Sequence, residues 1–591
     1  MIYNAPIKDM LFLVNEWIGI EKLTSLPGFE EVDADLIEAI LEEAGKFAST
    51  ELLTINREGD EHGAVFDNGN VITPPGFKEA YTQFVESGWT TIDANPDHSG
   101  QGLPKLLQGL IDEMLGATNV AFKLYTELSR GAYHCLDHAA PDHIRDMYLP
   151  KMVEGVWSGT MCLTEPNCGT DLGLLTTRAV AAGDGTYKIS GEKIFVTSGD
   201  HDLTENILHL VIARMEGAPA GTRGISLFLV PKFLINEDGS IGARNGVQTA
   251  SIEHKMGIKA SGTCSLVFEG ATGYLIGAEN RGLASMFKMM NLERITVGLQ
   301  GLGLSDIALQ NALDYAYERR QSKAPAPRPD DGASADPIVY QPEIKRQLLT
   351  IRSQVEGARA LSVLAGLNID IMEKSPDAEV ATTAQNTVAL LTPVIKAHFS
   401  DLGMSSTLSA QQVFGGHGYI REHGMEQLVR DCRIAPIYEG TNEIQALDLV
   451  SRKVTGRMTD FANQFLNDWL VFLDDHADGD QGEVAKSARS ALHRLIEATQ
   501  WVQAKSQAGE DASVRGCATQ YLRLFALTII GCLWAQIIDS IKDKQGDFYD
   551  VKRKLARFYV QQVLPETASL LDVIVNGSES LADFDVDEFK V

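Results

Sequence analysis

Apolar residues recur at helical spacing through the first part of the chain. Segments 36–44 and 106–120 place them three and four positions apart, which gives a helix one buried face. Stretches rich in proline and glycine, at 74–76 and 95–102, separate such segments as loops. The pattern therefore predicts a helical domain over residues 1–158.

From residue 159 to residue 278 the pattern changes to short runs of β-branched and aromatic residues. Turn residues separate these runs, which lie at 186–190, 207–213, 225–230 and 264–268. Short strands at regular intervals predict an antiparallel β sandwich or barrel.

Helical spacing returns at residue 279, most clearly in segments 295–319, 344–371, 484–507 and 514–542. Three prolines within 321–332 remove backbone donors, so this stretch is predicted to be a solvated loop. The whole pattern predicts a mostly helical α+β protein with four parts: an N-terminal helical domain (1–158), a middle antiparallel β domain (159–278), a four-helix-bundle domain (279–455) and an extra helical C-terminal domain (456–591).

Composition narrows the classes of function. The chain of 591 residues is 44% hydrophobic and has a net charge of −29 and a pI near 4.8. Nucleic acids and anionic membranes carry charge of the same sign, so neither is expected as the main partner. A Gly-x-Gly-x-x-Gly fingerprint after a strand is also missing from the sequence, which disfavours a nicotinamide enzyme of Rossmann type.

The cysteines indicate the redox environment. They number seven and form no CxxC pair, which favours reduced thiols over a disulfide framework or a metal site. The sequence begins without the basic segment and apolar core of a signal peptide. Its best candidate for a membrane span, 524–538, is too short to cross a bilayer. We therefore expect a cytoplasmic protein without a bound metal or a membrane span.

The most informative segment is 437–445, which reads Ile-Tyr-Glu-Gly-Thr-Asn-Glu-Ile-Gln. It places Glu439 beside Ile437 and Tyr438, where poor hydration favours a carboxylate that accepts protons near neutral pH. Gly440 lets the backbone come close to a ligand. The same residues also fit a surface turn with a solvated glutamate, and these nine positions alone leave both interpretations open.

Three further segments favour the interpretation of Glu439 as a base over that of a surface turn. They are 161–171 (Met-Cys-Leu-Thr-Glu-Pro-Asn-Cys-Gly-Thr-Asp), 191–199 (Gly-Glu-Lys-Ile-Phe-Val-Thr-Ser-Gly) and 411–419 (Gln-Gln-Val-Phe-Gly-Gly-His-Gly-Tyr). Together with 437–445 they resemble, in content and order, the motifs of the acyl-CoA dehydrogenase family. Phe195 stands where many members of that family carry tryptophan. The resemblance covers residues from about 80 to about 455. The first 35 residues and 456–591 resemble the extensions of the family's large bacterial branch.

The resemblance implies an FAD-dependent α,β-dehydrogenation of an acyl-CoA to a trans-2-enoyl-CoA. No side chain accepts a hydride, so a cofactor must. Glu439 is implied as the base that removes the α proton, while the β hydride passes to flavin N5. The backbone N–H of Glu439 is implied to polarise the thioester carbonyl together with a flavin hydroxyl. An electron-transfer flavoprotein is the implied electron acceptor.

The family's motifs also imply binding residues. Those implied to bind the cofactor are Met161, Leu163, Thr164, Gly169, Thr170, Phe195, Thr197, Arg319, Gln412, Gly416, Thr441 and Glu443. Those implied to bind the substrate are Thr170, Asn291, Arg294, Tyr438, Glu439 and Gly440. Arg319, Gln412 and Gly416 match residues that reach the FAD pyrophosphate of a neighbouring subunit.

One residue competes for the role of base. Glu293 stands where isovaleryl-type members of the family carry their base on a helix. Those members lose the glutamate of the Tyr-Glu-Gly-Thr motif, whereas this chain keeps it, so Glu439 is favoured and Glu293 remains the alternative. Glu293 could instead neutralise Arg294.

Two other functions stay open on the same scaffold: an acyl-CoA oxidase, and a DNA-binding flavoprotein of the family, which the acidic C-terminal part disfavours. The resemblance also implies a homodimer, because the extra helices cover the surface through which shorter members form tetramers. It implies 3-methylthiopropanoyl-CoA, or another short or medium acyl-CoA, as the substrate.

Overall fold

The computed structural model describes residues 1–477 and 482–590, apart from the side chain of residue 579. The chain divides into two compact units. The unit that we call the helical unit comprises Met1–Gly45, Lys105–Ala117 and Val297–Val591. The unit that we call the mixed unit comprises Lys46–Pro104 and Thr118–Thr296 and contains all the strands of the described residues.

The helices account for most of the described chain, which confirms the predicted fold class. In the first part they are α1 (Ile7–Leu11), α2 (Glu21–Thr24), α3 (Ala34–Phe47), α4 (Leu53–His62), α5 (Phe77–Glu86), α6 (Lys105–Thr118), α7 (Val120–Ala139) and α8 (Asp142–Val153). After the strands come α9 (Gly282–Glu318), α10 (Pro342–Lys374), α11 (Ala378–Val413), α12 (Met425–Cys432) and α13 (Asn442–Asp448). The last group is α14 (Thr459–Asp475), α15 (Gly482–Gln507), α16 (Asp511–Gly516), α17 (Ala518–Ser540), α18 (Asp547–Phe558), α19 (Glu566–Asn576) and α20 (Ser578–Ala582).

The mixed unit contains a closed ring of five strands among the eleven strands that the structure describes. The eleven strands are β1 (Val65–Asp67), β2 (Asn70–Ile72), β3 (Trp157–Cys162), β4 (Arg178–Ala181), β5 (Tyr187–Thr197), β6 (Asn206–Met215), β7 (Ile225–Pro231), β8 (Phe233–Ile235), β9 (Ile241–Arg244), β10 (Val247–Ile252) and β11 (Thr263–Ile276). The main sheet runs β10-β11-β5-β4-β6-β3, and β7 pairs with both β11 and β6, which closes a five-stranded barrel. Most pairs are antiparallel, while β6 runs parallel to β3 and to β4.

Two neighbouring strands of the barrel are buried on both faces. Every residue of β7 is buried, and so are the first eight of β6. Continuous apolar runs of this kind require cover on both sides, unlike the alternating pattern of a half-exposed strand. The apolar interior includes Val211, Phe228 and Phe268.

The predicted helices agree with the structure except in two places. The segment 106–120 is interrupted at Asn119, which has φ −157° and ψ 87° and separates α6 from α7. The apolar run over 514–542 does not form one helix, since α16 ends at Gly516 and α17 begins at Ala518. Cys517 between them has φ −101° and ψ 1°, outside the helical region. Within the described residues, α17 alone has the length and hydropathy of a membrane-spanning helix, and 89% of its most apolar window is buried inside the protein.

A buried network of charges joins distant parts of the helical unit. Arg359 of α10 contacts Asp9 of α1 at 2.5 Å and Glu113 of α6 at 2.6 Å. Lys552 of α18 pairs with Asp9 and, at 2.6 Å, with Glu356. These ion pairs connect the first helix of the chain to the extra C-terminal helices. A buried charge is tolerated only when it is paired in this way.

Candidate active site

The loop after β3 carries the first group of cofactor candidates, and a buried ion pair fixes it. Lys193 of β5 contacts Glu165 at 2.8 Å and donates a hydrogen bond to the carbonyl oxygen of Leu163 at 3.0 Å. Glu165 also accepts from the backbone N–H groups of Thr176 and Thr177, at 2.6 and 3.1 Å. Burial alone would raise the pKa of Glu165, but Lys193 and these hydrogen bonds lower it to about 2. The loop is therefore fixed through an ionised carboxylate.

This ion pair was missed by sequence reasoning, although both residues lie inside the quoted motifs. Glu165 and Lys193 are 28 positions apart, and nothing in the local pattern pairs them. The signal that could have been recognised is a lysine inside a strand-forming segment, because a charge that is buried there, as Lys193 is, needs a partner.

The second group of cofactor candidates lies on β5, next to the loop that follows β3. The backbone N–H of Ile194 donates to the carbonyl oxygen of Thr164 at 2.9 Å. Phe195, the next residue, has a left-handed backbone (φ 56°) and a side chain that is 58% exposed. Thr197 ends the strand opposite Thr263. An exposed aromatic ring thus lies two positions before Thr197 on β5, next to the loop that carries Thr164.

The remaining candidates of this loop differ in exposure. Met161 is buried at the end of β3, and Leu163 is half-buried. Gly169 and Thr170 are exposed, and a Cβ added at Gly169 would meet no atom within 4 Å. Gly169 and Thr170 therefore lie on the open side of the loop.

Glu293, the alternative base, lies in a packed interface between α7 and α9 of the mixed unit. Its side chain is 1% exposed, and a Cβ at Gly131 would lie 2.2 Å from its Oε1 atom. Glu293 is hydrogen-bonded to Glu127, which also accepts from Thr296 and pairs with the fully buried Lys123. Burial opposes ionisation of Glu127, but Lys123 lowers its pKa. Glu293 therefore belongs to a buried pair of hydrogen-bonded carboxyl groups beside Lys123.

The two substrate candidates on the same helix are more accessible. Asn291 is exposed and Arg294 is half-buried. The Nη1 atom of Arg294 lies 3.4 Å from Oδ1 of Asn291, a weak contact one helical turn apart.

Glu439 lies in the helical unit, on a tight turn before α13. Glu439 and Gly440 both have left-handed backbones, with φ of 57° and 82°. Thr441 then caps α13, because its side-chain oxygen accepts from the N–H of Ile444 at 3.4 Å. The Glu439 side chain is half-buried and Ile437 is 46% exposed. Within the helical unit itself, the segment is therefore more open to water than the sequence suggested.

The neighbours of Glu439 are fixed from both sides. The hydroxyl of Tyr438 donates a short hydrogen bond to Oε1 of Gln300 on α9. Nε2 of Gln445, on α13, donates to the carbonyl oxygens of Glu439 and Gly440 at 3.0 and 3.3 Å. Glu443 is exposed, and a hydrogen bond with Thr441 lowers its pKa.

The pyrophosphate candidates of the helical unit lie on exposed segments that pack together. The ring of Tyr315, near the end of α9, stacks on Phe414 with centroids 4.2 Å apart, and its hydroxyl lies 2.8 Å from Nδ1 of His417. These contacts join the end of α9, next to Arg319, to the short helix Gly415–Tyr419. Arg319, Gln412 and Gly416 are all exposed. His417 therefore supports this segment through Tyr315.

Four family models match consecutive parts of the chain. They are the acyl-CoA dehydrogenase N-terminal domain at residues 35–156, the middle domain at 160–271, the C-terminal domain at 280–454, and an acetyl-CoA dehydrogenase C-terminal-like domain at 455–585. The chain is 37% identical to the 3-methylmercaptopropionyl-CoA dehydrogenase of Ruegeria pomeroyi, over 98% of the chain and 99% of that protein. The chain belongs to the acyl-CoA dehydrogenase family. It is accordingly an oxidoreductase that acts on acyl-CoA thioesters.

Other members of the family show the same full-length similarity. A butyryl-CoA dehydrogenase of Syntrophomonas wolfei is 34% identical over 99% of both chains. The crystal structure of a Bacillus anthracis acyl-CoA dehydrogenase complexed with FAD superposes with a TM-score of 0.76 at 21% identity, over 98% of this chain and 93% of that one. At that level of identity the superposition shows a shared fold.

Proposed function

We propose that the protein is an FAD-dependent acyl-CoA dehydrogenase that oxidises a short or medium acyl-CoA, such as 3-methylthiopropanoyl-CoA, to its trans-2-enoyl-CoA. The observation that carries the proposal is the turn at Glu439–Gly440, which presents a half-buried carboxylate on a fixed backbone. The substrate class follows the similarity to the Ruegeria and Syntrophomonas enzymes.

The residues of the mixed unit fit a flavin. Phe195 offers an exposed aromatic face. The carbonyl oxygen of Thr164 accepts a hydrogen bond from the backbone N–H of Ile194, the residue before Phe195. Thr197 adds a hydroxyl two positions further along β5. Bound FAD would supply the hydride acceptor that no side chain provides. The Glu165–Lys193 pair keeps the loop that carries Thr164 in place.

Glu439 removes the α proton of the thioester, and its backbone N–H donates to the carbonyl oxygen, where negative charge develops. Gly440 leaves room for the ligand because it adds no side chain beside the base. Glu293 is not the base in this proposal, since it is buried and hydrogen-bonded to Glu127. It positions the helix that presents Asn291 and Arg294 to the substrate.

The proposal extends to a homodimer. Arg319, Gln412 and Gly416 would bind the pyrophosphate of FAD in a neighbouring subunit, since a guanidinium suits diphosphate geometry. Large apolar side chains next to them are exposed, with Tyr419 at 84% and Tyr317 at 62%. Exposed aromatic residues around an arginine are typical of a subunit interface. Light scattering tests this part, and a tetramer would contradict it.

The function is tested with purified protein loaded with FAD and a series of acyl-CoA thioesters of increasing chain length. We expect turnover with an electron-transfer flavoprotein or an artificial acceptor, and little peroxide in air without one. Peroxide formation at the rate of turnover would instead establish an acyl-CoA oxidase. An apolar pocket separates substrates one methylene apart by only about 1–3 kcal/mol, so the optimum is expected to be broad. A protein that takes up no flavin would contradict the proposal.

A further inference from the structure

The backbone at Glu439 is in a conformation that glutamate avoids. Its φ of 57° lies in the left-handed region, where a Cβ crowds the following carbonyl oxygen. Only eight of the non-glycine residues in the described chain have a positive φ. Such a conformation persists only where neighbouring groups enforce it, and it determines the direction in which the side chain leaves the turn.

The enforcing group is the amide of Gln445. This side chain is completely buried, and its Nε2 atom donates to the carbonyl oxygens of both Glu439 and Gly440. A Cβ at Gly440 would lie 2.8 Å from the same nitrogen, so the amide packs against the turn at a distance that glycine permits. The two carbonyl acceptors fix the amide orientation, because the opposite orientation would place three oxygens together.

The helix that carries Gln445 is itself fixed. Asn442, the first residue of α13, donates to Oδ1 of Asp401 at 2.7 Å and to the carbonyl oxygen of Ala397 at 3.1 Å. Its own Oδ1 accepts from the fully buried Lys396 at 2.9 Å. These contacts attach the start of α13 to α11. Gln445 therefore fixes the turn at Glu439–Gly440 relative to α11 and α13.

We propose that Gln445 is a positioning residue that sets the direction of the Glu439 carboxylate for proton abstraction. The inference rests on the proposed role of Glu439 as the base. Gln445 needs no contact with substrate or cofactor for this role. It acts through the backbone, and its loss would let the turn relax toward the ordinary φ of glutamate. A displacement of about 1 Å at a reacting group can cost about 100-fold in rate.

Two substitutions test the inference. Gln445→Met keeps the length of the side chain but removes the donor, so we expect kcat to fall about 100-fold while KM and FAD content change little. Gln445→Glu adds a group that donates only when it is protonated. An ionised carboxylate would repel the two carbonyl oxygens, and burial beside them raises its pKa.

The pH profile gives the sharper result. A glutamate base must be ionised, so wild-type kcat should rise with pH and then level off. In Gln445→Glu we expect kcat to recover relative to that of the wild type at the same pH as pH falls, because the protonated carboxyl restores one of the two hydrogen bonds. A purely structural defect would lower activity at every pH without this reversal.

A matched control is available in Gln427, which is buried on α12 and donates to Asp431 at 3.1 Å. Gln427→Met removes a comparable buried amide away from the turn, so its kcat should stay near that of the wild type. A wild-type kcat and pH profile in both Gln445 variants would overturn the inference, and so would an equal loss in the Gln427 control. If Gln445→Met fails to fold, the pH profile of Gln445→Glu decides alone.

The failure of this inference differs from a failure of the proposed function. Normal turnover in the Gln445 variants together with a dead Glu439→Gln enzyme would remove the positioning role and leave the base intact. Normal turnover in Glu439→Gln would remove the base itself.

Discussion

Lys193 and Glu165 contact each other at 2.8 Å with side chains that are 0% and 3% exposed. The pair joins the middle of β5 to the loop that presents Thr164. Because both charges are out of water, the loss of either leaves the other uncompensated. The ion pair therefore contributes to the stability of the loop that follows β3.

Lys193→Met is expected to destabilise the protein by about 3–5 kcal/mol and to lower its FAD content. Urea unfolding and flavin absorbance measure the two effects. Lys188→Met is the matched control, since Lys188 lies on the same strand but is exposed. Equal stability of the two variants would contradict the account.

The pH dependence of this pair follows from the pKa of Glu165, which lies at about 2, below its ordinary value of 4.5, because Lys193 and hydrogen bonds outweigh burial. A lowered folded pKa stabilises the protein above the ordinary value, and that contribution is lost as pH falls. The wild type and Lys193→Met should therefore approach each other in stability between pH 4.5 and pH 2. Thermal unfolding between pH 4.5 and pH 2 measures this effect. A difference in stability between the wild type and Lys193→Met that stays constant across that range would contradict it.

Gly131→Ala tests the burial of Glu293. An added Cβ would lie 2.2 Å from the Glu293 carboxyl, so the interface between α7 and α9 must shift at a cost of about 1–3 kcal/mol. Gly109→Ala is the control, since its nearest neighbour would lie at 3.9 Å in a helix where alanine is favoured. Gly109→Ala should be neutral or stabilising by up to about 1 kcal/mol. Unfolding midpoints in urea compare the two, and an unchanged Gly131→Ala midpoint would show that Glu293 is not packed there.

The buried network of the helical unit predicts a second pH effect. Burial raises the pKa of Glu113 to about 7, although Arg359 opposes the shift. The folded state then holds a proton that the unfolded state loses near pH 4.5, so stability falls as pH rises from about 4.5 to about 7. Glu113→Gln should make this decline less steep. Melting temperatures between pH 4.5 and pH 8 measure it, and identical slopes in wild type and variant would contradict the assignment.

The helical and β regions could be predicted well from the sequence, because both kinds of element give a local periodicity of apolar residues. The sequence also singled out Glu439 as the candidate base, because its motif is contiguous. The left-handed turn and its contact with Gln445 could not be predicted, because a glutamine six positions later reads as an ordinary helix residue. Glu165 and Lys193 are 28 positions apart, and the burial of Glu293 depends on a glycine of another helix. Such long-range pairings are set by the fold, which local patterns do not specify.

The role of Glu439 is tested most directly by anaerobic mixing of the FAD-loaded protein with its acyl-CoA substrate while flavin absorbance is followed. We expect rapid loss of absorbance in the wild type and in Glu293→Gln, and none in Glu439→Gln despite normal FAD content. Rapid flavin reduction in Glu439→Gln, with loss of reduction in Glu293→Gln, would contradict the account and move the base to residue 293.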